Sequence, residues 1–512
     1  MPTNWQTYPI NFQGGLITNL GLLEHGSQFP GSARRLINFE CSLGGGYSKV
    51  LGYEPWVADP VPGSTSTPIS ASILLDANRV LAIRGTTAYV ATRSDMAGWV
   101  ANGTTLANAP AHRVRHASYD FGQGVQIVMV DGANAPYYYD VATNVLTQPT
   151  PGVGADDIEG SSFVAVFADR LFFAKGPLIT YSNLLTSGSF DPALGAGVFK
   201  VEGDVTGLIV FRDQLIIFGE DRIDVLTGTS EADFQMKPIT KKTGCPWPDS
   251  IQEVGGDILY KGPDGVRYLS ATEKNDDFAL ERASENIQQE VVSPFVDPLN
   301  AVSLVIRNKA QYRLFYYEGD VGADGQNGFV ATRFADQTSS NIGWGLLQGF
   351  KVFTADSRQF EADEVVVFSD GISQVYQMEF GFSFDGENIN CMFETPFIFF
   401  EDPRVRKTFY KHHLYLKTLG QYDLQTQLRL DFGDPQVVQP PQQGFSFGTT
   451  GVALYGTAIY GVSTYATPQR TALSENLVGS GFSASLSYSN QNTSPTVTVS
   501  SAVLEYTYND RK

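Results

Sequence analysis

Short apolar runs alternate with turns rich in Asp, Gly and Asn along most of the chain. The pattern is clearest in residues 167–183 and 211–228, which carry the same phrase twice. Each copy has an apolar lead-in, a polar turn centred on Asp, an apolar strand, a second turn and a second strand. Asp, Gly and Asn accept the bent backbone of tight turns, and Leu, Ile and Phe fill a buried sheet face. The pattern therefore predicts a β-hairpin in each segment.

The hairpin phrase returns at a nearly constant spacing. Copies begin near residues 77, 122, 167, 211, 254, 308 and 362, about 45 residues apart at first and about 55 at the end. A propeller blade of four strands needs roughly 40 to 50 residues. The repeat predicts an all-β fold with a β-propeller of six to eight blades, seven being the best match. A row of Greek-key sandwiches, with strands roughly every 8 to 12 residues, stays open as the alternative.

The repeat is lost after about residue 385. Apolar and polar residues alternate over residues 406–417 and 421–432, as in half-buried strands. We expect three regions: an N-terminal arm and hairpin over residues 1–60 that packs on a platform, a propeller over residues 61–385, and a platform β-sandwich over residues 386–512. The one helix that the pattern predicts is short and covers residues 283–292.

Composition and charge support this picture and narrow the function. The 512 residues include 12% aromatics, 51 Gly and only 17% charged residues, a mixture that suits short strands and tight turns. The net charge of -19 excludes an overall basic footprint for nucleic acid. Excess acid repels phosphate at long range. Such repulsion would serve a conduit that DNA crosses without sticking, although a soluble acidic protein is the simpler interpretation.

No catalytic, metal or cofactor motif emerges. Cys41, Cys245 and Cys391 are too few and too widely spaced for a disulfide framework, which favours assembly in a reducing cytoplasm. His112 and His116 would lie about 13 Å apart on a strand, too far for one metal ion. Acidic pairs in the turns are explained as turn formers. Neither a secretory signal nor an apolar stretch of membrane-spanning length is visible. We therefore predict that the chain is not an enzyme.

Several segments resemble the tail nozzle family of short-tailed bacteriophages, also called tail tubular protein B or tail hub. They are the GGL segment at residues 14–16, ARRLINFEC at 33–41, GGGYSKVLGY at 44–53, TGCPWPDSI at 243–251, and the closing strands at 479–512. The resemblance is one of pattern and order over most of the chain. It implies a structural protein of the virion tail, assembled in the host cytoplasm. Six copies would form a ring that conducts and gates DNA below the portal.

The resemblance also implies partners: the chain itself as a homohexamer, a portal-side adaptor, tail fibre or spike proteins, and DNA in transit without sequence-specific binding. Basic residues on this acidic chain are candidates for docking to an acidic partner: Arg34, Arg35, Arg404, Arg406, Lys407 and Lys411. A glycine-rich hairpin tip is the candidate lumen or gate loop, with Asp320, Asp324, Gln326 and Asn327.

A second function from a different class stays open. Propeller glycosidases place acidic residues at one mouth of the propeller. The chain could therefore be a carbohydrate-binding or polysaccharide-degrading β-propeller, although no glycosidase motif is evident.

Overall fold

The fold was analysed in a computed structural model. It describes residues 5–93, 98–148, 158–272, 277–279, 282–295, 297–317, 327–334, 342–361, 363–418, 420–447, 452–453, 464–465 and 469–509. The N-terminal segment contains five strands and one helix: β1 (Gln6–Asn11), α1 (Leu22–Gln28), β2 (Arg35–Ile37), β3 (Phe39–Cys41), β4 (Tyr47–Lys49) and β5 (Tyr53–Pro55).

The next part of the chain forms successive antiparallel sheets. The first four have four strands each: β6 (Ile69–Leu74), β7 (Arg79–Arg84), β8 (Thr87–Thr92) and β9 (Trp99–Thr105); β10 (Arg115–Tyr119), β11 (Gln126–Val130), β12 (Tyr137–Asp140) and β13 (Val145–Thr147); β14 (Phe163–Phe167), β15 (Arg170–Lys175), β16 (Leu178–Tyr181) and β17 (Gly197–Lys200); β18 (Val205–Phe211), β19 (Gln214–Gly219), β20 (Ile223–Thr227) and β21 (Gln235–Thr240).

Three more sheets follow. The fifth contains β22 (Gln252–Val254), β23 (Asp257–Gly262) and β24 (Gly265–Tyr268), and it is followed by the hairpin β25 (Ser270–Thr272) and β26 (Asp277–Ala279) and by helix α2 (Gln288–Val292). The sixth begins with β27 (Ala301–Ile306), β28 (Gln311–Tyr316), β29 (Asn327–Arg333) and β30 (Ile342–Gln348). The seventh has β31 (Thr354–Phe360), β32 (Asp363–Ser369) and β33 (Val375–Met378).

These seven sheets are the blades of a β-propeller, which confirms the predicted fold class. The first strands of the blades line one central channel: β6, β10, β14, β18, β27 and β31, with β22 and the turn before it. Neighbouring first strands pack together around the ring, including β31 of the last blade against β6 of the first. In every blade the repeated sequence phrase forms the hairpin of the second and third strands.

Blade 7 takes its outer strand from the other end of the sequence. β5 pairs with β33, so that Tyr53 lies opposite Met378 and Pro55 opposite Tyr376. The fourth strand therefore comes from the N-terminal segment, more than 300 residues away in sequence, and it closes the ring non-covalently.

Apolar cores fill the spaces between neighbouring blades. In β11, Ile127 and Met129 pack towards blade 1, whereas Val128 and Val130 pack towards blade 3. Both faces of the strand are thus buried, which explains why the blade strands read as continuous apolar runs. The same arrangement recurs around the ring, with a buried cluster between each pair of adjacent blades.

Most of the remaining strands complete a β-sandwich, the platform: β34 (Ile389–Glu394), β35 (Lys407–Thr418), β36 (Tyr422–Leu430), β37 (Gln443–Phe447), β40 (Gln469–Gly481), β41 (Ala484–Asn492) and β42 (Val497–Tyr508). Two short strands, β38 (Val452–Ala453) and β39 (Thr464–Tyr465), pair with each other. One sheet runs β3-β4-β42-β35-β40, with β1 also paired to β42. The other runs β2-β34-β41-β36-β37. Strands from both ends of the chain therefore build the platform.

Two local features follow from the sequence. Of the three glycines before β4, Gly46 has φ +89°, and a Cβ there would lie 2.4 Å from the carbonyl oxygen of Val499. The glycine run thus lets β4 approach β42. In place of the single helix predicted over residues 283–292, the structure has a 3₁₀ turn, Glu285–Ile287, followed by the five-residue helix α2. Further 3₁₀ turns lie at Pro192–Leu194, Pro248–Ser250, Pro298–Asn300, Arg307–Lys309 and Asp431–Gly433.

Candidate functional site

The propeller axis is crossed by a largely buried ion triad. Asp249 follows Pro248 in the turn before β22 and accepts from two arginines that precede or begin β10. Nε of Arg115 lies 2.8 Å from Oδ1, and Nη1 of Arg113 lies 3.1 Å from Oδ2. Arg113 also donates from Nη1 to the carbonyl of Ala301 at 3.0 Å, in blade 6. The triad therefore ties blades 2, 5 and 6 together across the axis.

The electrostatics of the triad favour a carboxylate that is ionised at neutral pH. Burial opposes ionisation of Asp249, but the charges of Arg115 and Arg113 and their hydrogen bonds outweigh it and lower its pKa to about 2. The guanidinium of Arg115 also lies over the ring of Phe163, 4.4 Å from its centroid. The channel beside the triad has a volume of about 240 Å³. Duplex DNA, whose major groove alone is about 12 Å wide, does not fit through it.

A second polar layer lies in the same channel. Asp356 on β31 accepts from the backbone N–H of Leu74 at 2.9 Å and lies 3.4 Å from Nε of Arg358. Nε2 of His116 is 3.7 Å from Asp356. Burial lowers the pKa of His116 to about 4, so its imidazole is neutral at pH 7. Among the residues that the structure describes, no group of His, Cys, Asp and Glu could hold a metal ion.

The joint between propeller and platform is built from the segment at residues 33–41. β2 pairs with β34 of the platform on one side and with β30 of blade 6 on the other. Blade 6 and one platform sheet are thereby one continuous nine-stranded sheet. Between β2 and β3 the chain passes from this sheet to the other at Asn38, which has φ +51°. Such a conformation is tolerated best by Gly and Asn.

The side chain of Asn38 joins three segments. Its amide nitrogen donates to the carbonyls of Asn390 at 2.8 Å and Gln348 at 3.1 Å, and its oxygen accepts from the N–H of Gln348 at 2.9 Å. Asn38 is buried, so its amide provides hydrogen bonds to these backbone groups where water is excluded. Asn38 therefore links β2 to both β30 and β34 at the joint.

A cluster of four charged residues reinforces the joint. We call it the joint cluster: Glu40 on β3, Lys309 and Arg313 in blade 6, and Glu379 after β33. Lys309 lies 2.6 Å from Glu40 and 2.5 Å from Glu379, and Arg313 lies 2.9 Å and 2.6 Å from the same two carboxylates. Arg313 is fully buried. Burial opposes ionisation of Glu379, but the charges of Arg313 and Lys309 outweigh it and lower its pKa.

The predicted docking residues fall into two groups in the platform. Arg34 is half-buried and lies 2.8 Å from the buried Glu394, whose other oxygen lies 3.1 Å from Arg429. The neighbouring Arg35 is exposed on β2. Arg404 is 75% exposed and pairs with Asp402 at 3.1 Å. Arg406 is exposed and donates to the carbonyl of Ser480 at 3.0 Å, and Lys411 is half-exposed on β35.

Lys407 has a different role from the one predicted. It is fully buried, and its ammonium donates to the carbonyls of Phe399 at 2.7 Å, Phe482 at 3.3 Å and Asp402. An ammonium has three N–H donors, so these carbonyls occupy all of them. Lys407 stabilises a platform loop and has no donor left for a partner.

The predicted gate loop lies mostly outside the described residues, and this holds for Asp320, Asp324 and Gln326. Asn327 is described: it begins β29 and is half-buried, opposite Tyr316 and Gln348. It is therefore part of blade 6.

Sequence reasoning missed the triad and the joint cluster. Asp249 and Arg113 are 136 residues apart, and Glu40 and Arg313 are 273 apart. No local spacing signals such pairs. The one available signal was the turn at residues 239–249, stiffened by two prolines, which in the structure holds Asp249 at the axis.

Comparison with known proteins gives no family assignment. No family model matches the chain, and neither does any curated protein. Similar solved structures include an ancestral GH74 enzyme (TM-score 0.42, 11% identity, 64% of this chain and 51% of that one). Another is PorZ, a surface component of the type-IX secretion system of Porphyromonas gingivalis (TM-score 0.35, 11% identity, 70% and 44%).

A third is the extracellular domain of a protein assigned as a one component system in B. thetaiotaomicron (TM-score 0.34, 12% identity, 75% and 41%). The chain spans about half or less of the length of these three structures, and the likeness carries no argument about activity. In the described part of the chain, no helix is long and apolar enough to cross a membrane.

Proposed function

We propose that the chain is a tail nozzle protein of a short-tailed bacteriophage, a structural component of the virion tail that forms a ring around the path of the DNA. The sequence resemblance at the start, in the blades and at the end supports this proposal. The structural observation that carries it is the continuous sheet from blade 6 into the platform. A wall that withstands internal pressure needs its two domains to move as one body.

The joint supports this mechanical role. Domain interfaces within a chain are usually small and polar, and relative motion is the default. Here β2 bridges the two domains by backbone pairing, and Asn38 and the joint cluster add buried polar contacts on either side of it. A force on the platform would therefore be transmitted to blade 6 through the backbone hydrogen bonds of β2 and through the buried charge pairs of the joint cluster.

The closed axis shapes the proposal further. Because the triad crosses the propeller channel, a DNA path runs between copies of the chain and not through one propeller. Several copies, six in the resembling family, would surround such a bore. With a net charge of -19 per chain, the ring would repel phosphate and let DNA pass without adhering.

A structural role also fits the state of the buried acids. A glycosidase needs one carboxyl group with a raised pKa as its general acid. The axial Asp249 and the joint residue Glu379 have lowered pKa values instead, since each faces two cations. Neither acid can therefore serve as a general acid at neutral pH, which supports the physical role that we propose for them. The polysaccharide-degrading alternative predicts sugar release from capsule or surface glycans, and measurement of reducing ends would detect it.

Assembly tests the proposal. We expect the purified chain, mixed with a portal-side adaptor of the same phage, to form rings with a central bore in negative-stain images. Because assembly can depend on the neighbour, the chain alone serves as the control. A chain that stays monomeric in the presence of the adaptor, measured by light scattering, would contradict the proposal.

A further inference from the structure

A cleft opens at the rim of the propeller between blades 2 and 3. The turn from β10 to β11 forms one wall, and the loop after β16 forms the other. The volume is about 320 Å³, at the small end of the roughly 300–1,000 Å³ of ligand pockets. It is lined by Tyr119, Phe121, Gln123, Gly124, Gln126, Leu185, Thr186, Ser187, Gly188 and Ser189.

The first wall combines an aromatic surface with amides. The rings of Tyr119 and Phe121 lie 4.7 Å apart, and Phe121 is half-buried. The phenol of Tyr119 donates to Oε1 of Gln126 at 2.6 Å, which orients the amide and leaves its nitrogen as a donor. Gln123 is exposed. Its amide offers both a donor and an acceptor.

The second wall presents hydroxyl groups. Thr186 donates to the carbonyl of Asn183 at 3.1 Å, so its oxygen keeps free lone pairs. Ser189 accepts from the amide of Asn183 at 2.7 Å, so its proton is free to donate. The wall therefore offers both senses of hydrogen bond within one short loop.

The loop is held in place before any ligand arrives. Asn183 is buried, and its backbone N–H donates to the carbonyl of Ser189 at 3.0 Å. The phenol of Tyr138 donates to the carbonyl of Ser187 at 2.7 Å, and Leu185 donates to the carbonyl of Asp169 at 2.9 Å. A preorganised loop loses little conformational entropy on binding.

The cleft is electrically neutral. None of its lining residues is Asp, Glu, Lys or Arg. The adjacent carboxylate of Asp120 is engaged by the backbone N–H groups of Gly122 and Gly124, at 2.8 and 3.1 Å. On a chain with a net charge of -19, a neutral cleft neither attracts nor repels by a local charge. An ionic ligand would have no counter-charge within it.

We propose that this cleft binds one or two rings of a neutral saccharide. A pyranose has an apolar C–H face that packs on an aromatic ring, and hydroxyls that both donate and accept. Phe121 supplies an aromatic ring for the apolar C–H face, and the amides and hydroxyls of the two walls supply hydrogen-bond partners for the sugar hydroxyls. The inference does not rest on the nozzle function: a tail protein and a surface-binding propeller could both use such a site.

Binding can be measured directly on the full chain. The probes are trisaccharides of glucose, galactose and mannose, a trimer of N-acetylglucosamine, and a galacturonic acid trimer as the anionic comparison. Isothermal titration and saturation-transfer NMR should show saturable binding of at least one neutral sugar and none of the galacturonic acid trimer. Phe121→Ala and Gln123→Ala should each weaken binding at least tenfold.

Leu194→Ala is the matched control, because Leu194 is 67% exposed and does not line the cleft. Gln123 is also exposed, so its substitution leaves the fold intact even where Phe121→Ala perturbs packing. No binding of any neutral probe at millimolar concentration, binding unaffected by Gln123→Ala, or preference for the anionic trimer would each overturn the proposal. Ring assembly with the adaptor is scored separately, so the two proposals fail independently.

Discussion

Arg313 in blade 6 and Glu40 in the platform form a buried ion pair, with Nη2 of Arg313 2.9 Å from Oε2 of Glu40. The pair connects β28 with β3, which are far apart in sequence and belong to different domains. Arg313 is completely buried, and in the described part of the chain its charge is balanced by Glu40 and Glu379. The integrity of the joint thus depends on charges that water does not screen.

Arg313→Met is expected to lower the free energy of unfolding by about 3–5 kcal/mol, because it removes the buried cation that Glu40 and Glu379 share with Lys309. Urea denaturation followed by tryptophan fluorescence measures the change. Arg404→Met is the matched control: Arg404 also pairs with a carboxylate, that of Asp402, but is 75% exposed, and we expect little change because water screens an exposed pair. Equal effects of the two substitutions would contradict a structural role for the joint cluster.

Asp249→Asn should destabilise the propeller and change its response to acid. In the folded chain the pKa of Asp249 is about 2, below its usual 3.8. The ion triad therefore contributes fully above about pH 4, and its contribution falls as the pH drops towards 2. The shift corresponds to about 2 kcal/mol at neutral pH. Thermal unfolding between pH 2 and 5 should show a weaker pH dependence in Asp249→Asn than in the native chain.

The sequence predicted the propeller because one hairpin of each blade repeats its turn chemistry. In blades 3 and 4, Asp169 and Asp213 take positive φ angles at the same turn, as the repeated phrase implied. The outer strand of blade 7 was beyond prediction, because β5 has only three residues and lies outside the repeat. Tyr53 finds its partner only when the ring closes.

The candidate sites were less accessible to sequence reasoning. Arg34 and Lys407 were predicted to dock a partner, but one pairs with the buried Glu394 and the other donates to three carbonyls. A local pattern can indicate a polar residue on a strand. It cannot indicate whether a segment distant in sequence will bury that residue. The sequence indicated only that Asp249 ends a turn stiffened by two prolines. Its partners were set by the arrangement of blades.

His412 provides a second response to acid, in the platform. It is fully buried, and neither ring nitrogen has a hydrogen-bond partner among the described residues. Burial lowers its pKa from 6.5 to about 4. The unfolded chain therefore takes up a proton at a higher pH than the folded chain, and stability declines as the pH falls from about 6.5 to 4.

His412→Leu should remove this part of the decline and raise stability at pH 5 by about 2 kcal/mol relative to the native chain. Chemical denaturation at pH 7 and pH 5 measures the difference. His413→Gln is the control. His413 follows His412 on β35 but is half-exposed, and its ring lies 2.7 Å from Glu505 on β42. A pH 5 gain in the control equal to that of His412→Leu would contradict the assignment.

Tyr53→Ala tests the closure of the ring. Tyr53 stacks on Phe384 at 4.9 Å and meets Phe368 edge-on at 5.1 Å, and its hydroxyl donates to the carbonyl of Gly349 at 3.1 Å. Removing a buried aromatic ring of this kind costs about 3–5 kcal/mol. Tyr415→Ala, at a site 45% exposed, should change stability by at most about 0.5 kcal/mol. Differential scanning calorimetry compares the two.

Docking to an acidic partner should depend on the accessible basic residues of the platform and not on Lys407. The double substitution Arg406→Glu with Lys411→Glu replaces two positive charges with negative ones on the surface proposed to contact the acidic adaptor. We expect slower association with the portal-side adaptor and a weaker dependence of the rate on salt, because charges at an interface rim act mainly on encounter. Stopped-flow or surface-plasmon measurements at two ionic strengths give both quantities.

Lys407→Met separates docking from stability. The substitution removes the ammonium donor from three backbone carbonyls, so we expect stability to fall by about 1–3 kcal/mol. The molecules that remain folded should associate with the adaptor at the native rate. The double substitution should show the reverse: slower association with nearly native stability, since Arg406 is exposed and Lys411 half-exposed. If the double substitution left association unchanged at low salt, the platform's basic residues would not face the adaptor, and the docking surface would lie elsewhere on the chain.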